Sequence, residues 1–235
     1  MNIKVNYFII HCDEHIERES HLKKINKNLK QKTQIFKGYY TKNNEIDRKS
    51  QEEYLNTIDK HIKLKETFTF NLPGQIGCYL SHHMLIKELY FNKNKNKNKN
   101  KNKNLTNDYS VIFEDDVIWN ANAFDLHKSI LNIIYDIKCN EIDWDIIFLG
   151  NLSDNYGKPL VKNIYYLDIR KPCFGTHALL INNKNLEKIY LQNCLVRHEI
   201  DSHYKKLIDN NKLKGFVINP QLCYQNDKLN SNIAI

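Results

Sequence analysis

Residues 109–119 read YSVIFEDDVIW. The first five are aromatic, small or β-branched and too few for an ordinary helix, so they predict a buried strand over 109–113. Three consecutive carboxylates follow at once, Glu114, Asp115 and Asp116, and Val117-Ile118-Trp119 closes the stretch. Like charges repel and the end of a buried strand is partly desolvated, so the triplet needs something positive to offset it. In open α/β sheets ligands bind beyond the carboxyl ends of the strands, which is where these acids fall. A divalent cation with hard oxygen ligands, bringing a substrate phosphate, answers that demand. The alternative is a solvated turn whose acids cap a helix. Apolar residues pressing on both sides favour metal or phosphate work.

Working outward, residues 4–10 are apolar and predict a strand, and 13–30 place Ile16, Leu22, Ile25 and Leu29 at helical spacing. A second strand is expected over 33–40, ending in Gly38. Residues 41–70 are polar and weakly periodic, a loop with a short helix around 52–64. Pro73-Gly74 breaks the chain before a strong helix over 75–91, with Ile76, Leu80, Met84 or Leu85, and Leu89 as its buried stripe. Beyond the acids come an amphipathic stretch at 124–137 and a buried strand at 144–149. Short strands at 165–169 and 178–181, helices at 185–191 and 199–209, and a last strand at 215–218 complete the pattern. Strands alternating with helices predict an α/β fold with a mostly parallel central sheet flanked by helices, as one domain over residues 1–235.

The chain of 235 residues is 41% hydrophobic, enough to bury a core, and Gly 7 with Pro 4 excludes collagen-like and Pro-rich disordered classes. No run approaches the roughly 20 apolar residues of a membrane span, so a soluble protein is expected. The formal charge of +8 hints at a polyanion partner, but residues 92–104 read NKNKNKNKNKNKN and carry six lysines. Outside that tract the balance is 29 basic residues against 27 acidic. The tract has no apolar residue to offset its ordering entropy and is expected to be a solvated loop on the far side of the fold from the acids. A nucleic-acid-binding role for the charge is disfavoured, because the remaining basic residues are scattered and carry no recognisable motif. Cys12, Cys78, Cys139, Cys173, Cys194 and Cys223 show no zinc-finger spacing and read as reduced thiols. The amino-terminal residues lack a signal peptide's cleavage pattern, so a cytoplasmic or other reducing compartment is expected.

Three further stretches could carry chemistry. Residues 72–89, LPGQIGCYLSHHMLIKEL, start a helix with small residues that let it approach another backbone or an anion. His82 and His83 are adjacent and point about 100° apart, so they cannot share one metal. Residues 172–182, PCFGTHALLIN, suggest a tight turn at Gly175-Thr176 with His177 as a possible ligand. Residues 197–204, RHEIDSHY, place Asp201 at a helix start, either as an acid favoured by the macrodipole or as a general base facing a cleft.

Taken in order, GQIGCYLSHHMLIKEL, VIFEDDV, PCFGTHALLINNKNLEKI and HEIDSHY resemble glycosyltransferase family 25. That family includes bacterial lipooligosaccharide galactosyltransferases and collagen galactosyltransferase catalytic domains. The tail NPQLCYQNDKLNSNI is similar to the family's ending. The resemblance implies a GT-A-type fold and an inverting transfer of a hexose, galactose or glucose, from a UDP-sugar to a hydroxyl. The acceptor it implies is a glycan, lipid-linked glycan or glycosylated protein, with lipopolysaccharide biosynthesis as one setting. It implies Mn²⁺ (or Mg²⁺) held by Asp116 and Glu114, with Asp115 beside the donor. Asp201 would be the base, Asp154 the alternative. Gln75, Ser81 and His82 would line the donor or acceptor site, and His11 and Arg18 would lie along the nucleotide, Arg18 neutralising phosphate. This chain departs from the family at Ile10-His11-Cys12-Asp13, where Asn-Leu-Asp-Arg is common, and at Ser231-Asn232-Ile233, where an acid often follows the Ser. A non-catalytic or hydrolytic sugar-nucleotide-binding protein is the alternative function.

Overall fold

The computed structural model describes residues 3–41, 47–99, 108–120 and 125–229. Strand β1 (Val5–His11) leads through a 3-10 turn at Ile16–Arg18 and helix α1 (Glu19–Leu29) to β2 (Thr33–Lys37). Helix α2 (Arg48–Ile58) and the two-residue β3 (Lys63–Leu64) precede the long α3 (Pro73–Lys99). Then come β4 (Tyr109–Glu114), β5 (Val117–Trp119), α4 (Leu126–Cys139) and β6 (Ile146–Phe148). A hairpin of β7 (Pro159–Val161) and β8 (Ile164–Tyr166) is followed by β9 (Ala178–Asn182) and α5 (Leu186–Asn193). The chain continues through β10 (Leu195–Val196), α6 (Ile200–Asp209), β11 (Gly215–Ile218) and β12 (Cys223–Gln225).

The central sheet has eight strands in the order β2-β1-β4-β9-β6-β11-β8-β7. Six of them run one way, while β8 and β9 oppose them. The mostly parallel expectation therefore holds for strand direction. It is interrupted where β9 inserts antiparallel between β4 and β6 and where β8 inserts antiparallel between β11 and β7. This layered α/β sheet is compatible with a GT-A-like fold.

Period-2 alternation assigns the strand side chains to two cores. Tyr7, Ile9, Val111, Phe113 and Leu180 face one cluster with residues of α1 and α4. Phe8, Ile10, Ile112 and Leu179 face the other, against α2, α3, α5 and α6. Strands buried on both faces read as continuous apolar runs, which is why β1, β4 and β9 were visible in the sequence.

Several elements differ from expectation. The strand expected over 33–40 stops at Lys37 and the one over 165–169 is β8, while β3, β5, β7, β10 and β12 have no periodic signature because they are two or three residues long. In α3 it is Leu85, not Met84, that packs inside, and burial extends around the helix to Ser81, His82, His83 and Ile86. The Asn/Lys tract does not begin as a loop: α3 runs through it to Lys99. Adding residues to a helix already anchored by tertiary packing costs far less than nucleating one, so middling helix formers suffice. Lys93 donates to the Asn183 carbonyl at 2.5 Å, and Asn183 N–H to the Asp108 carbonyl at 3.1 Å. The start of the tract thus lies at the amino end of β4, opposite the acids; residues 100–107, like Phe124 and the 231–233 tail, lie outside the described residues. The six cysteines are free thiols. Among the described residues no helix is long and apolar enough to cross a membrane.

Candidate active site

Glu114 is the last residue of β4 and keeps the alternation of the strand, pointing to the same face as Ile112 and therefore to α3. Its Oε1 accepts from His82 Nε2 at 2.9 Å and from the Thr176 hydroxyl at 2.7 Å. Burial alone would raise the pKa of this carboxyl, but His82 and Thr176 outweigh it and hold it below the usual value. His82 and Cys78 lie one turn apart on α3, and Cys78 Sγ, His82 and Glu114 offer donor atoms all within 4.8 Å of one another. Burial keeps the Cys78 thiol protonated, with the negative charges of Glu114 and Asp201 adding to the effect.

Asp115 takes the opposite face. Arg18 Nη1 lies 2.5 Å from its Oδ1 and His11 Nδ1 2.7 Å from its Oδ2. Against the upward push of burial, His15, Arg18 and His11 hold its pKa at about 2. Part of the positive charge that the triplet demanded is thus supplied by the protein itself. His11 and Arg18 are engaged with an aspartate, not displayed towards the cleft.

Asp116 sits in the turn after β4, 3% exposed. Its Oδ2 accepts from Gln225 Nε2 of β12 at 2.9 Å, and Arg18 Nη1 stands 3.6 Å away. Its Oδ1 is buried with no hydrogen-bond partner among the described residues. Burial, then the charge of Glu114, push its pKa up to about 7. A buried carboxylate oxygen left without a donor beside a second carboxylate fits a divalent cation, which removes the repulsion that otherwise favours a proton.

Glu114 and Cys78 open onto a cleft of about 630 Å³ lined also by Gln75, Thr176, Asp201 and Gln225, among others, whereas His82, Asp115 and Asp116 lie behind its lining. Asp201, in the first turn of α6, accepts from Gly175 N–H at 3.2 Å and from Ser202 N–H at 2.6 Å. Burial raises its pKa above the ordinary carboxylate value despite those two donors. Gly175 has φ +94°, and a Cβ there would lie 2.9 Å from His177 Nδ1 and 3.0 Å from Leu152 Cγ, so the turn that presents its N–H to Asp201 requires glycine.

The remaining sequence candidates divide. Gln75 lines the cleft, and its Oε1 also accepts from Asn71 and Leu72 N–H, closing the start of α3 as a reach-back cap. Ser81 is not on the cleft; it donates to the Gly77 carbonyl and accepts from Tyr39 N–H, tying α3 to the chain after β2. A Cβ on Gly77 would collide with the Tyr39 carbonyl, the close backbone approach that the small residues predict. Asp154 is exposed in the loop after β6 and is not brought to the cleft. His83 points away from His82, to Asp59 at 2.8 Å. His177 is fully buried and does not line the cleft. Sequence reasoning passed over Thr176 and Gln225. Thr176 lay in a stretch already singled out, whereas Gln225 meets Asp116 across 109 positions with no local signal.

An α/β sheet of this order, with carboxylates gathered beyond the end of β4, is compatible with a GT-A-like fold. Residues 4–204 match the family described as Glycosyltransferase family 25 (LPS biosynthesis protein). The chain belongs to glycosyltransferase family 25. It is similar to Procollagen galactosyltransferase 1-A of Xenopus laevis, 24% identical over 128 residues, which are 53% of this chain and 18% of the relative. Procollagen galactosyltransferase 1-B of the same organism is 23% identical over 167 residues, 64% of this chain and 24% of the relative. The chain therefore spans a quarter or less of the length of these curated relatives.

Proposed function

We propose that this chain is a metal-dependent inverting glycosyltransferase, moving a hexose from a UDP-sugar to a hydroxyl of a glycan, lipid-linked glycan or glycosylated protein. Its residues act as one catalytic domain in a reducing compartment. The observation that carries the reading is the unpartnered buried Oδ1 of Asp116, two residues on from Glu114, which lines the cleft together with Asp201.

Asp116 and Glu114 are the residues that would hold Mn²⁺ or Mg²⁺. Such an ion supplies charge neutralisation for the departing nucleoside diphosphate. His82 and Thr176 fix Glu114 by two hydrogen bonds to one oxygen, so its orientation is set before any ligand arrives. Asp201 takes the proton of the acceptor hydroxyl; its raised pKa makes it a stronger base than an exposed carboxylate and its backbone donors hold it in place. Asp115 contributes structure, since its charge is matched by Arg18 and His11.

Incubation with a panel of UDP-hexoses, Mn²⁺ and candidate glycan acceptors tests the proposal. UDP release that requires the metal and falls in Asp116→Asn is expected. Absence of both binding and UDP release across the panel overturns it.

A further inference from the structure

Helix α6 separates the cleft from a second cavity. Asp201 faces the cleft, while His203, Lys206 and Asn210, at positions that share the other side of the helix, line a separate pocket of about 330 Å³. Arg197, His198 and Lys212 complete its polar lining, and no carboxylate is among the lining residues. The two cavities adjoin at residues 197–199, because Glu199 lines the first and Arg197 and His198 the second.

Some of the surface cations are matched by acids. Lys188, Lys205, Lys214 and Arg170 each hold an aspartate within 3.0 Å. Arg197, Lys206 and Lys212 form no ion pair among the described residues. Lys205 engages Asp209 at 2.5 Å, removing the acid next to the pocket on α6 as a partner for Lys206. Burial is the main influence on both histidines of the pocket. Burial, then Lys206, Lys65 and Arg197, lower the pKa of His198 against the opposing charge of Glu199. Burial and the charges of Arg197 and His198 push His203 down to about 3. A concave site lined by three cations without an ion pair among the described residues, and by no carboxylate, is complementary to a compact anion, and the Arg fork suits a tetrahedral oxyanion.

We infer that this pocket behind α6 is a binding site for a phosphoryl group, carried on a sugar or free in solution. The site is independent of the chemistry proposed for the cleft.

The test is ³¹P NMR line broadening of inorganic phosphate and of glucose 6-phosphate by the whole chain in EDTA, which keeps cation-dependent binding in the cleft silent. Broadening is expected with the wild-type protein and with Asp201→Asn. In Arg197→Ala/Lys206→Ala the affinity should fall at least about tenfold, since two charge-assisted contacts are lost. Both residues lie partly or wholly at the surface, and an unchanged thermal midpoint and circular dichroism spectrum confirm folding. A Lys206→Arg variant should retain binding. Tighter binding of glucose 6-phosphate assigns the phosphoryl group to a sugar; equal binding assigns it to free phosphate. No broadening with the wild type, or broadening unaltered by the double substitution in a folded protein, overturns the site.

Discussion

Glu114 and Asp115 are neighbours in sequence and leave β4 on opposite faces of the sheet. Glu114 is held by His82 of α3, and Asp115 by Arg18 at the start of α1. Strand alternation thus splits the acidic triplet into a residue for the cleft and a residue for the scaffold, with Asp116 in the turn between the two environments.

That division predicts unequal losses. Asp116→Asn should reduce metal-dependent turnover by about 10²-fold or more, the range for removing one electrostatic stabiliser of a transition state. Asp115→Asn should chiefly lower stability, because it leaves Arg18 buried against a weaker partner. Steady-state kinetics with melting curves for both variants check the split. A stable Asp115→Asn protein with the larger kinetic defect contradicts it.

The assignment of the base predicts that Asp201→Asn loses about 10²- to 10⁴-fold in kcat while retaining UDP-sugar binding. Asp154→Asn, altering an exposed loop residue, should stay near wild type. The base must be ionised and burial raises its pKa, so the acid limb of the rate profile should lie above the ordinary Asp range. Measuring kcat against pH reads this directly. An acid limb at the value of an exposed aspartate counts against Asp201.

Adjacent histidines should behave as strangers. His82→Ala removes a donor from Glu114, and metal affinity should drop about 10- to 100-fold. His83→Ala opens the core and strips a donor from Asp59, so it should cost about 2–4 kcal/mol of stability with little effect per folded molecule on turnover. Titration of Mn²⁺ and urea unfolding separate the two.

Asp59 sets a pH dependence for folding. Its Oδ2 meets His83 at 2.8 Å and Lys87 at 3.1 Å, and its Oδ1 accepts from His61 N–H at 3.0 Å. Burial opposes ionisation, yet these donors hold the carboxyl at about 2. Burial also lowers the pKa of His83, so the imidazole donates in its neutral form and Lys87 is the countercharge. A carboxyl depressed in the folded state stabilises above its unfolded value near 4 and loses that contribution as pH falls through about 2. The contribution is about 2 kcal/mol, and Asp59→Asn should lose it at pH 6. Urea unfolding at pH 6 and pH 2 should show the gap between wild type and variant narrowing; a gap independent of pH refutes the linkage.

The lysine-rich end of α3 should be dispensable for catalysis. Removing residues 96–103 shortens a connection at the amino end of β4, and closure entropy changes slowly with length. Turnover within about twofold of wild type is expected on the logic that surface changes away from packed features act weakly. A large kinetic loss would place this segment against substrate.

The long elements were legible because their physics is local. β1, β4, β9 and β11 are continuous apolar runs buried on both faces, and α1 and α3 carry apolar residues at helical spacing. The short strands were not legible, since a two-residue bridge such as β3 with β10 is made by its partner and not by its own composition. The helical start of the Asn/Lys tract was hidden for a related reason: its composition is indifferent, and an anchored helix upstream decides it.

The same boundary runs through the site. Glu114, Asp115 and Asp116 stand out from residue type and order, because charge crowded at a strand end is costly wherever the strand lies, whereas His82 and Asp201 gain a role only through the family resemblance of the stretches that hold them. Whether a neighbour or a ligand answers that charge depends on groups brought from far along the chain. Arg18 and His11 answer for Asp115, Thr176 and His82 fasten Glu114, and Gln225 closes on one oxygen of Asp116, leaving the other open. Local sequence dictates which residues carry charge and which face of a strand they take. Only the packing of distant elements determines which charges are neutralised within the protein and which are left for something it binds.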